Sequence, residues 1–332
     1  MRRRRILNLL VAVAFAVTAT ACSTGKRPAT DEPKTASTTA AGDTPTSPSS
    51  LDTAPRMPPG VAPSNPFAVG VREIRLNRGD DRPLPVTVWY PATGRAGGEP
   101  QPAARVAEGR FPIVVFSHGL TGLPADYAPL LTRWAAAGLI VAAPAYPYTS
   151  RGGEYNVLDV MNQPADASYV LTEILALDAA AVDPLRGHLA TDRVAAAGHS
   201  AGGITTIGLF TLKRDERFVA GIVLAGSALG VGTAFQGPAA PQLFVHGVLD
   251  EVVAYEAGRA AYEKVPWPKA MLSLPDGDHG QSLLRDGSPA FTIVVETTVD
   301  FLRWSLYGDA TARSRLATNA TAGGVATFDD QF

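Results

Sequence analysis

The sequence predicts an α/β fold in which helices flank a mostly parallel central sheet. Three observations support this prediction: short apolar runs bounded by Gly and Pro, amphipathic stretches that alternate with those runs, and a chain long enough for a large core. The chain has 332 residues, of which 46% are hydrophobic and 18% are charged, so it cannot be disordered throughout. We find no internal repeat.

Short apolar segments have the pattern of strands. Pro85–Tyr90 alternates between apolar and polar residues, as a half-buried strand does. The other segments are nearly continuous apolar runs, which are typical of parallel strands buried on both faces. These runs are Phe111–Ser117, Leu139–Ala143, Val194–Ala197, Gly221–Leu224, Leu243–Val245 and Met271–Leu274.

Amphipathic stretches between these runs predict helices, because their apolar residues recur at intervals of three and four. The stretches are Tyr127–Ala137, Ala165–Leu177, Ala201–Leu212, Ala254–Val265 and Ala290–Tyr307. The connections at 146–163 and 225–242 are short and contain many small residues. We therefore expect no large cap domain, because neither connection can form a core of its own.

The two ends of the chain are predicted to lie outside the folded domain. Residues 1–21 contain an Arg run, a short apolar run and then small residues, which is the layout of an export signal. This layout resembles a bacterial lipoprotein signal, in which Cys22 becomes the lipidated first residue. The alternative is an ordinary secretory signal cut near Ala21. We expect a disordered tether over 22–65, the folded domain over 66–307 and a flexible tail over 308–332.

Charge and cysteine content exclude several classes of function. Lys and Arg number 29 against 31 Asp and Glu, so no basic excess indicates a nucleic-acid partner. The chain has a single Cys, which excludes an intrachain disulfide and cysteine-ligated zinc or iron–sulfur clusters. We expect no metal and no cofactor. We expect a monomer anchored to the outer face of the cytoplasmic membrane through Cys22, or alternatively a secreted protein.

The most informative motif is GHSAGG at 198–203, which follows a predicted strand and precedes a predicted helix. This is a G-x-S-x-G sequence in a strand–turn–helix context, where a sharp, strained turn exposes a serine at the carboxyl end of the sheet. It predicts Ser200 as a nucleophile. The alternative is a turn of small residues that matches the pattern by chance.

A serine hydroxyl needs a base, and in this arrangement the partners follow in the order Ser, acid, His. His279 lies in a polar loop after the last predicted strand and is assigned as the base. Asp250 follows the preceding strand and is assigned as the acid, with Glu251 as the alternative. The other four histidines are set aside. His118 and His188 precede the serine in the chain. His199 should point off the turn, and His246 should pack at a strand end.

Developing negative charge on a substrate oxygen needs preorganised donors. We expect one donor to be the backbone N–H of Ala201, directly after the nucleophile. The other is expected from the turn after the Phe111–Ser117 strand, at Leu120, with Gly119 as the alternative. Tyr146 and Tyr148, together with Leu120, are predicted to form walls of an open substrate cleft.

These segments resemble the α/β-hydrolases, in the branch that includes dienelactone hydrolases, platelet-activating-factor acetylhydrolases and polyester hydrolases. The resemblance covers roughly residues 69–307 and implies a triad of Ser200, Asp250 and His279 with Leu120 and Ala201 as oxyanion donors. It departs from dienelactone hydrolases, which use Cys, and residues 225–230 lack the Trp of polyester hydrolases. The motifs that carry it are PVTVWYP at 85–91, FSHGL at 116–120, QPAD at 163–166, GHSAGG at 198–203, His246-Gly247 with Asp250, and Asp278-His279.

The predicted function is that of a serine carboxylic-ester hydrolase that works through an acyl-enzyme, with short-chain esters as substrates. A lipase or phospholipase similar to the platelet-activating-factor acetylhydrolases is the first alternative, and a polyester hydrolase is less favoured. A catalytically silent binding module on the same fold is the alternative that is not an enzyme.

Overall fold

The computed structural model describes residues 62–332, so the predicted signal, Cys22 and most of the predicted tether lie outside the described residues. Ten strands form one sheet in the order β10-β9-β8-β7-β6-β4-β5-β2-β1-β3. The strands are β1 (Ala68–Asn77), β2 (Pro83–Ala92), β3 (Gln101–Pro102), β4 (Phe111–Ser117), β5 (Ile140–Pro144), β6 (Leu189–His199), β7 (Phe218–Leu224), β8 (Gln242–Gly247), β9 (Lys269–Leu274) and β10 (Thr327–Gln331).

Helices lie between most of the later strands. They are α1 (Ala128–Ala136), α2 (Gln163–Ala176), α3 (Ala201–Gly208), α4 (Tyr255–Lys264), α5 (Gln281–Leu284), α6 (Pro289–Leu302) and α7 (Ala310–Ala320). Between residues 62 and 332, no helix is both long enough and apolar enough to cross a membrane.

Strands β4 to β9 pair with one another in parallel. The pairs of β1 with β2, β2 with β5 and β10 with β9 are antiparallel. This mostly parallel sheet with flanking helices confirms the predicted fold class. In such a sheet the carboxyl ends of the parallel strands meet at one edge. The loops after β4, β6, β8 and β9 therefore meet at that edge, and they are the loops that carry the predicted site residues.

The central strands are buried on both faces, which explains their nearly continuous apolar sequences. In β4, Val114 and Phe116 belong to a core with α1 and α6, whereas Ile113 and Val115 belong to a core with α2. Successive side chains of a strand point to opposite faces, so each β4 residue fills one core or the other.

A buried ion cluster fastens the connection between β5 and α2, together with the first turn of α2, to the turn between β1 and β2. Arg82 contacts the carboxylates of Asp159 and Asp166, and Arg78 Nε donates to Asp166 Oδ1 at 2.6 Å. The side chain of Asp166 is 0% exposed, and that of Asp159 is 3% exposed. This connection contains one short 3-10 helix, Val157–Met161, and residues 225–241 form only turns and irregular backbone.

The structure corrects the prediction of a flexible tail over 308–332. After the left-handed Gly308, the Asp309 carboxylate caps α7 by accepting from the amides at 311 and 312. Helix α7 buries Leu316 in the core with α6, and β10 then pairs with β9 at the edge of the sheet. The few apolar residues of this segment are spaced too irregularly to predict elements, and their order comes from tertiary contacts with α6 and β9.

Candidate active site

Ser200 lies between the end of β6 and the start of α3, with φ +57° and ψ −118°. A non-glycine residue rarely adopts this backbone conformation, and holding it costs about 1–3 kcal/mol. The neighbouring glycines permit the turn, since a Cβ on Gly198 would overlap the Gly202 carbonyl and one on Gly202 would overlap the Ser117 carbonyl. The Ser200 amide donates to the Leu224 carbonyl at 2.9 Å, which fastens the turn to β7.

The structure brings Ser200, His279 and Asp250 into one hydrogen-bonded line. Ser200 Oγ lies 2.8 Å from His279 Nε2, and His279 Nδ1 lies 2.7 Å from Asp250 Oδ2. Because a carboxylate only accepts, Nδ1 carries the proton and Nε2 is free to accept from the hydroxyl. This is the geometry in which an imidazole can take the proton of a serine that attacks a substrate.

Asp250 is held by hydrogen-bond donors on both carboxylate oxygens. Oδ1 accepts from the amides of Val252 and Val253, each at 2.8 Å, while Oδ2 lies 2.7 Å from His279 Nδ1 and 3.2 Å from His246 Nε2. Burial alone would raise the pKa of Asp250, but these hydrogen bonds hold its pKa well below the usual range. The acid that contacts His279 is therefore an ionised Asp250 and not its exposed neighbour Glu251.

His246 contributes more than the packing at a strand end that its sequence position predicts. It is 1% exposed at the end of β8, and its Nε2 also lies 2.9 Å from the Val253 carbonyl. Both neighbours of Nε2 are acceptors, so this nitrogen carries a proton that the carbonyl and Asp250 share. The spacing of His and Asp, four residues apart after a strand, is the only sequence signal for this contact.

The turn after β4 brings Gly119, the neighbour of Leu120, against Ser200, because a Cβ at Gly119 would lie 3.3 Å from Ser200 Cβ. The amide of Gly119, the alternative oxyanion donor, already donates to Tyr127 Oη at 2.8 Å, which favours Leu120. His118 Nδ1 donates to the Gly119 carbonyl at 2.8 Å and so stiffens this turn. Ala201 is the first residue of α3, where backbone amides have no acceptor within the helix.

His199, which was expected to point off the turn, is buried against His279. Its ring centre lies 4.9 Å from that of His279, and its Nε2 lies 2.7 Å from the His279 carbonyl oxygen. Its Nδ1 lies 3.0 Å from Tyr127 Oη. Burial lowers the pKa of His199 to about 4, so the ring is neutral at ordinary pH.

The two tyrosines predicted to line the cleft have different environments. Tyr146 is 0% exposed and its Oη lies 2.8 Å from Ser117 Oγ, so the prediction that it forms a cleft wall is wrong. Its hydroxyl finds a partner inside the core, which the sequence pattern does not reveal. Tyr148 is partly exposed, with the Arg82 guanidinium 5.5 Å from its ring centre. Its predicted contact with substrate stays a prediction.

A groove of about 660 Å³ opens beside His279. Its apolar lining includes Leu249 and Val252, which are 60% and 62% exposed. Its polar lining includes Glu251 and Arg285. Across 62–332, His, Asp and Glu side chains form no group of three or more that could hold a metal ion.

Comparison with known families gives one match. The family model described as platelet-activating factor acetylhydrolase, isoform II, matches residues 101–167. This segment runs from β3 through the Leu120 turn to the first residues of α2, and it ends before Ser200, Asp250 and His279. No curated protein matches the chain. Together with the sheet, the match fits the α/β-hydrolase fold, and it supports a hydrolase that acts on esters.

Proposed function

We propose that this protein is a serine carboxylic-ester hydrolase with Ser200 as nucleophile, His279 as base and Asp250 as the acid that orients the base. The observation that carries the proposal is the line of hydrogen bonds from Ser200 Oγ through His279 to Asp250, 2.8 and 2.7 Å long, on a strained strand-to-helix turn. The partial similarity to an acetylhydrolase family supports the same class of reaction.

The mechanism follows from these positions. Ser200 Oγ attacks the ester carbonyl while His279 Nε2 takes the hydroxyl proton, and the imidazolium that forms is stabilised by Asp250. The amides of Leu120 and Ala201 stabilise the oxyanion of the tetrahedral intermediate. His279 then protonates the leaving alcohol, which leaves an acyl-enzyme on Ser200. Water, activated by His279, hydrolyses the acyl-enzyme and restores the serine.

A phospholipase or lipase is the second candidate. Two observations favour it: the family match and the exposed apolar side chains of Leu249 and Val252 beside His279. Against it, no segment within residues 62–332 forms a cap over the site, and residues 225–241 form only turns and irregular backbone. We therefore place short-chain esters first. A polyester hydrolase is less favoured still, because residues 225–230 contain no aromatic residue.

The test is labelling with a fluorophosphonate combined with hydrolysis of p-nitrophenyl acetate. Wild-type protein should hydrolyse the ester and take up one label, which peptide mapping should place on Ser200. Ser200→Ala should lose both properties. Ser314→Ala, at an exposed serine on α7, is the matched control and should keep both.

A label on another residue would refute the assignment of Ser200. A folded wild-type protein that neither hydrolyses esters nor takes up the label would favour the silent binding module.

We also propose that the protein is exported and held at the outer face of the cytoplasmic membrane by a lipid on Cys22. The sequence of residues 1–22 supports this proposal. Expressed in a bacterium that processes lipoproteins, the wild-type protein should partition into detergent, and Cys22→Ser should not. Equal partitioning of the two proteins would refute the anchor and favour simple secretion.

A further inference from the structure

A chain of hydrogen bonds links the turn after β4 to the loop that carries His279. It passes from the Gly119 amide to Tyr127 Oη at 2.8 Å, from Tyr127 Oη to His199 Nδ1 at 3.0 Å, and from His199 Nε2 to the His279 carbonyl at 2.7 Å. We call these four residues the His199 bridge. Its members come from three separate segments: the connection between β4 and α1, the end of β6 and the loop after β9.

The direction of every hydrogen bond in the His199 bridge is determined. The His279 carbonyl can only accept, so His199 Nε2 carries the proton. The neutral ring then has an acceptor at Nδ1, so the Tyr127 hydroxyl donates to it. A lone pair of Tyr127 Oη remains for the Gly119 N–H. Each group thus has the one role that its neighbours require, which makes the bridge directional and stiff.

From this geometry we propose that His199 is a positioning residue. It acts through Tyr127 to hold two segments in one fixed arrangement: the turn at 118–120, which we call the oxyanion turn, and the loop that carries His279. The inference rests on the proposed function, because it concerns how Leu120 and His279 act on the same reacting carbonyl. These two residues lie on separate loops, and catalytic groups must be held to within about 0.5 Å of their productive positions.

The packing around Gly119 supports the proposal. A Cβ at Gly119 would lie 3.0 Å from Tyr127 Oη, 3.1 Å from His199 Nδ1 and 3.3 Å from Ser200 Cβ. Gly119 is therefore closely packed against the Tyr127 and His199 side chains and against Ser200. A shift of the Tyr127 hydroxyl would be passed directly to Gly119 and to Leu120 beside it.

The His199 bridge could instead contribute only to folding, because buried polar groups need partners in any case. A positioning role predicts a loss of kcat at nearly constant KM, whereas a purely structural role predicts a lower melting temperature with kcat unchanged. The two roles are therefore separable by experiment.

The central variant is Tyr127→Phe, which removes one hydroxyl at nearly constant shape. Its matched control is Tyr307→Phe, because the buried Tyr307 hydroxyl also donates to a backbone carbonyl, that of Gly138. Gly138 lies just before the start of β5, so this bond is at the opposite edge of the sheet from Ser200. His199→Leu removes both hydrogen bonds of the ring, whereas His199→Gln keeps a side chain that can both donate and accept.

We expect Tyr127→Phe and His199→Leu each to lower kcat for p-nitrophenyl acetate by about 10- to 100-fold, with KM changed less than twofold. Inhibition by a trifluoromethyl ketone, whose adduct with Ser200 carries an oxyanion, should weaken by a similar factor. The double variant should be scarcely worse than either single variant, because both interrupt the same bridge. His199→Gln should recover part of the loss, and Tyr307→Phe should keep its kcat.

A kcat within twofold of wild type for folded Tyr127→Phe would overturn the inference, and so would equal losses in the Tyr307→Phe control. The rate at which a fluorophosphonate labels Ser200 gives a second readout that needs no substrate, and it should fall about tenfold in Tyr127→Phe. Wild type that labels but hydrolyses no ester would refute the proposed function alone, and the labelling rates would then decide the inference. Wild type that does neither would overturn both.

Discussion

His246 and His279 contact the same carboxylate oxygen of Asp250, at 3.2 and 2.7 Å. The His246 imidazole is buried and also donates to the Val253 carbonyl, within the loop that Asp250 itself caps through its other oxygen. Asp250 is therefore fixed from two sides, by its own loop and by a strand-end histidine. The carboxylate can orient His279 only if its own position is fixed in this way.

Replacement of His246 should weaken this orientation. We expect His246→Phe to lower kcat by about 3- to 10-fold and to reduce the free energy of unfolding by about 1–3 kcal/mol, because the Asp250 carboxylate and the Val253 carbonyl lose a donor. Ester hydrolysis and urea unfolding measure the two effects. His188→Gln is the matched control, because His188 also bonds to a backbone carbonyl, that of Gly109, ahead of β4. A full kcat in His246→Phe would show that the amides of the loop suffice.

The buried ion cluster should matter for stability more than any exposed pair. Asp166→Asn removes a carboxylate that pairs with the guanidinium groups of both Arg78 and Arg82. The side chain of Asp166 is 0% exposed, so water cannot replace it. We expect a loss of about 3 kcal/mol in the free energy of unfolding, measured with urea. Asp286→Asn breaks an exposed pair with Arg133, about 55% exposed on each side, and should cost less than about 1 kcal/mol. Equal effects would contradict this reasoning.

His199 should make stability fall with acid. Its pKa is lowered by burial from 6.5 to about 4, so between these values the unfolded chain binds a proton that the folded chain does not. The contribution of neutral His199 to the free energy of unfolding is fully present above pH 6.5. It is lost as the pH falls toward 4, and the loss amounts to about 3 kcal/mol.

The measurement is urea unfolding of wild type and His199→Leu across this range of pH. The variant cannot titrate at this position, so its free energy of unfolding should fall less between pH 6.5 and 4 than that of wild type. His118, whose pKa is also lowered by burial, is present in both proteins and cancels in the comparison. Parallel curves for the two proteins would contradict a buried neutral His199.

The preference for acyl chain length separates the esterase from the lipase. Each buried methylene contributes about 0.8 kcal/mol, so a short open groove stops rewarding added carbons early. We expect kcat/KM for p-nitrophenyl esters below their micelle concentrations to peak at two to about six acyl carbons. A maximum at long chains, or activation at a lipid interface, would favour the lipase or phospholipase instead.

Much of the fold follows from local patterns in the sequence. The parallel strands are visible as continuous apolar runs, because each is buried on both faces. The turn at Ser200 is recognisable from the glycines at 198 and 202, where a Cβ would overlap neighbouring backbone atoms. The order of Ser200, Asp250 and His279 along the chain, each after its own strand, was enough to nominate the three residues that the structure brings together.

Tertiary structure alone decided the rest, because the deciding contacts join residues far apart in the chain. Helix α7 and β10 are ordered by α6 and β9, although their own sequence has no clear apolar period. Tyr146 is buried in the core, where its hydroxyl bonds to Ser117, and so it does not line the predicted cleft. The positions of His199 and His246 against the loops of His279 and Asp250 depend on the packing of separate strands at one edge of the sheet, and no local pattern records such packing.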